Sequence, residues 1–135
     1  MINEVPYEQV LDIRYKVMYP DKEKDFVILP NDDRGLHIGY YLNGEPISVF
    51  SIFLENGEIQ FRKFATLQEY QGKGYGTKLM EWLVDYVKDL KFRRVWCNSR
   101  ADKAGFYKKF GFVETKERFE KNGYEYVIVE KGNDL

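Results

Sequence analysis

The residues with the clearest chemical meaning lie between Phe61 and Met80, FRKFATLQEYQGKGYGTKLM, centred on Gln71-Gly72-Lys73-Gly74-Tyr75-Gly76. A strand-like run, Glu58 to Thr66, precedes the glycines. A helical pattern follows them, with Leu79, Trp82, Leu83, Tyr86, Val87 and Leu90 at three- and four-residue spacing. The glycines therefore fall where a strand ends and a helix begins. The first N–H groups of a helix have no partner within it, and the helix dipole adds partial positive charge there. Glycine lets the backbone turn tightly and approach a ligand closely. Together these make a cradle for phosphate or pyrophosphate. The spacing is G-x-G-x-G, which matches neither nucleotide fingerprint, because Lys73 lies between the first two glycines and no Gly-Lys-Ser/Thr follows. A glycine-rich turn that only joins two elements is the alternative.

A second informative stretch is VWCNSRADKAGFYKKFGF, Val95 to Phe112, with the pattern Ala104-x-Phe106-Tyr107-x-x-x-Gly111-Phe112. Gln-x-x-Gly-x-Gly at 71–76 and this pattern, with a helix and a strand between them, resemble two signature elements of the GNAT N-acetyltransferase family. The resemblance spans residues 57 to 130. It implies acetyl-CoA as cofactor, with its pyrophosphate on Gln71, Gly72, Lys73, Gly74, Tyr75, Gly76 and Thr77. It also implies that Tyr107 faces the CoA sulfur and protonates the departing thiolate, a task suited to a phenol. Alternatively Tyr107 joins Phe106 and Phe110 on the apolar face of a short helix. In this family the fourth strand and the strand after the long helix splay, and pantetheine lies in the gap. The backbone of Phe64, Ala65 and Thr66 is then expected to pair with the pantetheine amides as an added strand would. Asn98 is expected to touch the pantetheine arm, or else to be a strand-end turn residue.

The segments IRYKVMYP, LHIGYYLNGEPIS, FRKFAT, WCNSR and GFYKKFGF resemble blocks of the bacterial glyphosate N-acetyltransferases. There, arginines hold the anionic groups of a small amine, and Arg62 and Arg100 match two of them. Guanidinium forks suit carboxylate and phosphonate; solvated strand-end charges are the alternative. Two positions depart. Tyr19 stands where an arginine follows the first helix, and Tyr126 aligns with a last-strand histidine proposed as base. Tyr19, Arg62, Arg100 and Tyr126 form the expected acceptor-binding set. A phenol with a pKa of about 10 is a poor base at neutral pH. The base is therefore open between a carboxylate such as Glu58 acting through water and no dedicated group at all. His37, in the strand LHIGYY, is expected to be structural. Cys97 has no histidine nearby in sequence and reads as a buried strand residue. No metal-ligand spacing is present.

These residues must be positioned by one domain, since 135 residues suffice for a single core. The net charge of −1 creates no field toward nucleic acid or membrane. The single cysteine fits a reducing compartment. MINEVPYEQV does not read as a signal peptide, and no apolar run nears the roughly 20 residues of a bilayer span. A cytoplasmic protein, monomer or homodimer, is expected. Pro6 to Met18 reads as an amphipathic helix capped by Asn3, with Val10, Ile13 and Val17 on one face. A polar loop, 20–35, contains Phe26-Val27-Ile28-Leu29 as a strand or an anchor. Asn43-Gly44 and Asn56-Gly57 predict hairpins joining strands Leu36–Leu42, Pro46–Leu54 and Glu58–Thr66. A helix over 74–90, a strand Arg93–Ser99 and a helix Ala101–Phe110 follow. Strands Phe112–Glu120 and Tyr124–Lys131 form a last hairpin around Asn122-Gly123. The fold class is α/β (α+β): a mixed, mostly antiparallel sheet with one splayed parallel pair and flanking helices. The expected activity is acetyl transfer from acetyl-CoA to a small, anionic amine. A protein or peptide acceptor, or a CoA-binding module without catalysis, are the rivals.

Overall fold

Each Asn-Gly pair, 43–44, 56–57 and 122–123, has both residues at positive φ, as a type I′ turn requires. These turns set most of the sheet. In the computed structural model, which describes residues 1–132, the elements are β1 (Ile2–Glu4), α1 (Tyr7–Met18), β2 (Leu36–Leu42), β3 (Glu45–Glu55), β4 (Glu58–Thr66), α2 (Tyr75–Tyr86), β5 (Arg94–Arg100), α3 (Ala104–Lys108), β6 (Val113–Lys121) and β7 (Tyr124–Gly132). The sheet order is β1-β2-β3-β4-β5-β7-β6. Every neighbouring pair is antiparallel except β4–β5. Among the described residues no helix is long and apolar enough to cross a membrane.

Several sequence expectations change. Asn3 does not cap α1: it lies in β1 opposite Gly39, and Pro6 takes the N-cap position. The free edge of β2 offers backbone partners that the extended N-terminus takes up. Phe26 to Leu29 is not a strand. A 3₁₀ turn, Lys24–Val27, buries Val27, and Leu29 is buried just beyond it. α2 ends at Tyr86 rather than at residue 90, and the chain continues in tight turns to Leu90. The helix expected over Ala101–Phe110 is a 3₁₀ turn followed by the single short α3.

Alternation along β3 separates two cores. Phe50 and Ile52 face α2 and pack with Ile59, Phe61, Leu79, Met80 and Leu83. Val49 faces α1 and packs with Val10, Ile13 and Ala65. In β4 the alternation breaks. Ser51 pairs with Arg62 and Val49 with Ala65, so Phe50 opposes both Lys63 and Phe64. Lys63 sits at φ 56°, in the left-handed region. This bulge carries Phe64 to the α2 core and Ala65 to the α1 core.

Under α1, Arg14 is fully buried and binds both oxygens of Asp32, at 2.8 and 2.9 Å. It also donates to the Val27 carbonyl and to Ser51 Oγ. Asp32 accepts further from the Tyr7 hydroxyl at 2.6 Å and the Leu29 N–H at 2.9 Å. His37 contacts Ser51 Oγ and the Asp32 carbonyl through its two ring nitrogens, a structural role as expected.

Candidate functional site

β4 and β5 pair at only two positions, Ile59–Val95 and Gln60–Trp96, although both strands run on. The bulge at Lys63 bends β4. The Tyr107 ring packs 5.7 Å from that of Phe61, while its hydroxyl interacts with the Cys97 thiol on β5. The wedge so formed opens into a groove of about 680 Å³. Phe64, Ala65 and Thr66 line one wall, and Asn98, Ser99 and Arg100 the other. The ladder on the β5 side stops at Gln60, so the β4 edge beyond it faces the groove.

One end of the groove is the glycine loop. Gly72 and Gly74 have φ of 75° and 91°, and Gly74 is the N-cap of α2. The first N–H to find an intrahelical acceptor is that of Lys78, on the Gly74 carbonyl. The N–H groups of Tyr75, Gly76 and Thr77 are thus free for an anion at the dipole's positive end. A methyl group at Gly76 would meet Phe64 at 3.5 Å, an ordinary contact. Protein packing therefore does not demand glycine there, whereas a close ligand would. Gln71 donates from Nε2 to the Thr66 carbonyl at 2.8 Å, tying the loop to β4. Lys73 is the member of the expected loop set that does not line the groove. Its ammonium lies over the Tyr70 ring.

Tyr107 lines the groove between the two strands. Burial, with Cys97 beside it, pushes its phenol above the usual range, so it holds its proton at every working pH. Cys97 is itself buried and its thiol is pushed up by the same burial, which makes it a weak nucleophile.

The opposite end brings together Tyr19 from the end of α1, Arg62 from β4, Arg100 from β5 and Tyr126 from β7. Arg100 and Tyr126 are direct partners across β5 and β7. The Arg100 guanidinium lies 3.9 Å over the Tyr124 ring. Tyr126 stacks on Phe119, and burial raises its phenol, which leaves it protonated. Burial and the Arg14 guanidinium work against the charge on Arg62, which makes no ion pair among the described residues. Glu58 is not in the groove. It lies at the start of β4, outside the lining, paired with Arg93 at 3.7 Å and Arg94 at 3.3 Å.

Sequence reasoning missed Lys63, Tyr70, Lys103 and Tyr124, all in the lining. For Lys63 a signal existed. The apolar positions Ile59, Phe61 and Phe64 break the two-residue period, which marks a bulge between Phe61 and Phe64.

Three comparisons bear on this arrangement. The family model described as "Acetyltransferase (GNAT) family" matches residues 6–112. An uncharacterized N-acetyltransferase of Bacillus subtilis (strain 168), YitI, is 24% identical over 128 residues, covering 88% of this chain and 86% of that protein. Among solved structures, a putative N-acetyltransferase from Lactobacillus plantarum superposes with a TM-score of 0.83 at 18% identity, covering 99% of this chain and 97% of that one. A GNAT family acetyltransferase from Elizabethkingia anophelis, solved with acetyl-CoA bound, superposes with a TM-score of 0.70 at 17% identity, covering 98% and 97%.

Proposed function

This chain belongs to the acetyltransferase (GNAT) family, and we propose that it moves the acetyl group of acetyl-CoA to the amine of a small, anionic metabolite. The observation that carries the acceptor class is the charge of the groove. Arg62, Lys63 and Arg100 line its acceptor end, and the described lining contains no carboxylate and no histidine. A carboxylate or phosphonate suits such a site, whereas a polyamine would be repelled.

Acetyl-CoA supplies the thioester that is attacked and the thiolate that leaves. The chain's own residues bind, orient and move protons. The free N–H groups of Tyr75, Gly76 and Thr77 receive the pyrophosphate. The exposed edge at Phe64, Ala65 and Thr66 pairs with the pantetheine arm, with Asn98 opposite. Arg62 and Arg100 hold the acceptor's anionic group, with Tyr19 and Tyr126 closing that end. Tyr107 keeps a proton for the departing sulfur. Fixing both reactants supplies much of the acceleration. A closer kinship to the glyphosate N-acetyltransferases belongs to the same reading: Arg62 and Arg100 support it, and Tyr19 and Tyr126 set this chain apart.

The test is thiol release from acetyl-CoA across amino acids, aminophosphonates, polyamines and aminoglycosides. Release with anionic amines alone supports the reading, while release only with polyamines, aminoglycosides or added peptides overturns it. Two variants sharpen it. Arg100→Glu should raise KM for an anionic amine by about 10- to 100-fold, the scale of one charge-assisted contact, with acetyl-CoA binding unchanged. Gly76→Ala should keep or slightly raise the melting temperature, since alanine is the better helix former, yet weaken acetyl-CoA binding measured by calorimetry.

A further inference from the structure

We propose that Lys63 is the proton acceptor of the transfer, the group that takes a proton from the acceptor's ammonium before the amine attacks. The inference rests on the function read above and assigns a residue outside the expected acceptor set.

The groove leaves few rivals. Its described lining has neither carboxylate nor histidine, and Glu58 is engaged with Arg93 and Arg94 away from it. Tyr107 and Tyr126 are both pushed toward their protonated forms by burial. Guanidiniums do not give up a proton at working pH. Lys103 is exposed on the turn before α3.

Lys63 differs in backbone and in surroundings. It is the inserted residue of the β4 bulge, at φ 56°. A left-handed L-residue costs on the order of 1–2 kcal/mol, and such strain concentrates at functional sites. The bulge puts Lys63 in the groove wall, its Nζ 5.4 Å from the centre of the Tyr19 ring. It makes no ion pair among the described residues. The charges acting on it are Arg62 on its own strand, Arg14 from α1 and Lys121 from β6, against Asp32 alone. Burial first, then these three cations, bring its ammonium down to about 8. Roughly a tenth is therefore free amine at pH 7 and about half at pH 8, against far less for an ordinary lysine. An acceptor's anion held beside it raises its basicity on binding.

Protons and electrons balance through the transfer. The Lys63 lone pair takes one proton from the acceptor's –NH3⁺, directly or through water. The freed amine forms its N–C bond to the acetyl carbonyl. The C–S bond breaks with its electron pair going to sulfur. Tyr107 protonates that sulfur and recovers the proton the new amide nitrogen sheds. Lys63 then returns its proton to solvent, so the net yield is one amide, one thiol and one proton.

The experiment compares wild type, Lys63→Arg and Lys63→Gln on an anionic amine the wild type turns over, with kcat followed from pH 6 to 10. All three side chains bear the same left-handed backbone cost, and melting curves check folding. A wild-type acid limb in kcat is expected at or above pH 8, displaced upward by the bound anion, and lost in both variants along with about a 10²-fold or greater fall in kcat. Lys63→Arg should keep KM for the anion. An Arg variant with wild-type kcat, or a Gln variant with the limb unmoved, overturns the proposal. NMR titration of ¹⁵N-labelled lysine in wild type needs no acceptor: a Lys63 midpoint near 8 supports it and one above 10 overturns it. Wild-type silence on every anionic amine would instead overturn the function read above, and the role of Lys63 with it, whatever the NMR midpoint.

Discussion

Tyr107→Phe should lower kcat by about 10²- to 10⁴-fold, the range for loss of a positioned general acid, while leaving the Kd for acetyl-CoA nearly unchanged. The change removes one oxygen atom and keeps the ring. The packing against Phe61, Phe106 and Phe112 is therefore retained. The hydroxyl's polar partner is the Cys97 thiol. A thiol is a weak hydrogen-bonding group, so stability should fall by less than about 1 kcal/mol. What disappears is the proton available where the thiolate forms. Steady-state kinetics with acetyl-CoA calorimetry separate these effects. A kcat within twofold of wild type would remove Tyr107 from the chemistry and return it to the aromatic face of α3. Cys97→Ser is the companion control: it alters the same interaction but should leave kcat close to wild type, since the thiol itself does not react.

The largest effect on stability is expected beneath α1, next to Arg62. Arg14→Met should destabilise the fold by about 3–5 kcal/mol, because it strands the buried Asp32 carboxylate without its counter-charge. For a chain of this size that is a fall in Tm on the order of 10–20 °C. Asp32→Asn should cost a comparable amount by stranding Arg14. Changing both residues to apolar ones should cost less than either single change, since no charge is then left buried. Burial pushes the Asp32 carboxyl up, but Arg14, Tyr7 and the Leu29 N–H outweigh it and hold it at about 2. Its native pKa lies below the unfolded value, so the unfolded chain binds more protons between the two. The stability it contributes is present above pH 4 and is lost as pH falls toward 2. Denaturant melts from pH 6 to 2 should show that loss in wild type and a flatter profile in Asp32→Asn. Equal slopes would mean that the pair does not govern acid stability. Arg14 also donates to Ser51, the cross-strand partner of Arg62. Acceptor KM should therefore rise in any folded Arg14 variant.

How much of this was legible in the amino-acid order follows the range of the forces involved. The three Asn-Gly turns were, because positive φ at two adjacent residues is a local demand that few residue types meet. The glycine loop was legible for the same reason, as was Tyr107 within its short aromatic pattern. His37 was read as structural from its place in a strand and Cys97 as buried because no histidine stood near it in sequence; the structure gives His37 contacts to Ser51 and Asp32 and buries Cys97. The ion pairs of Glu58 were not legible, since Arg93 and Arg94 lie 35 and 36 positions further on and only the sheet brings them to it. Asn3 was misjudged because a capping signal cannot compete with an open strand edge that the local sequence does not reveal.

The chain order by itself thus determined the succession of strands and helices, the glycine turn at the strand-to-helix junction, and the short aromatic pattern that carries Tyr107. These depend on the conformational limits of single residues and on short periodicities, which neighbours in sequence suffice to express. Only the tertiary structure decided which charges meet. It paired Arg14 with Asp32 and Glu58 with Arg93 and Arg94, and placed Lys63 in the groove wall among Arg62, Arg14 and Lys121. The physical reason is that burial and Coulomb interactions act through space between residues far apart in the chain. Their balance is set when the sheet bulges at Lys63 and β4 parts from β5.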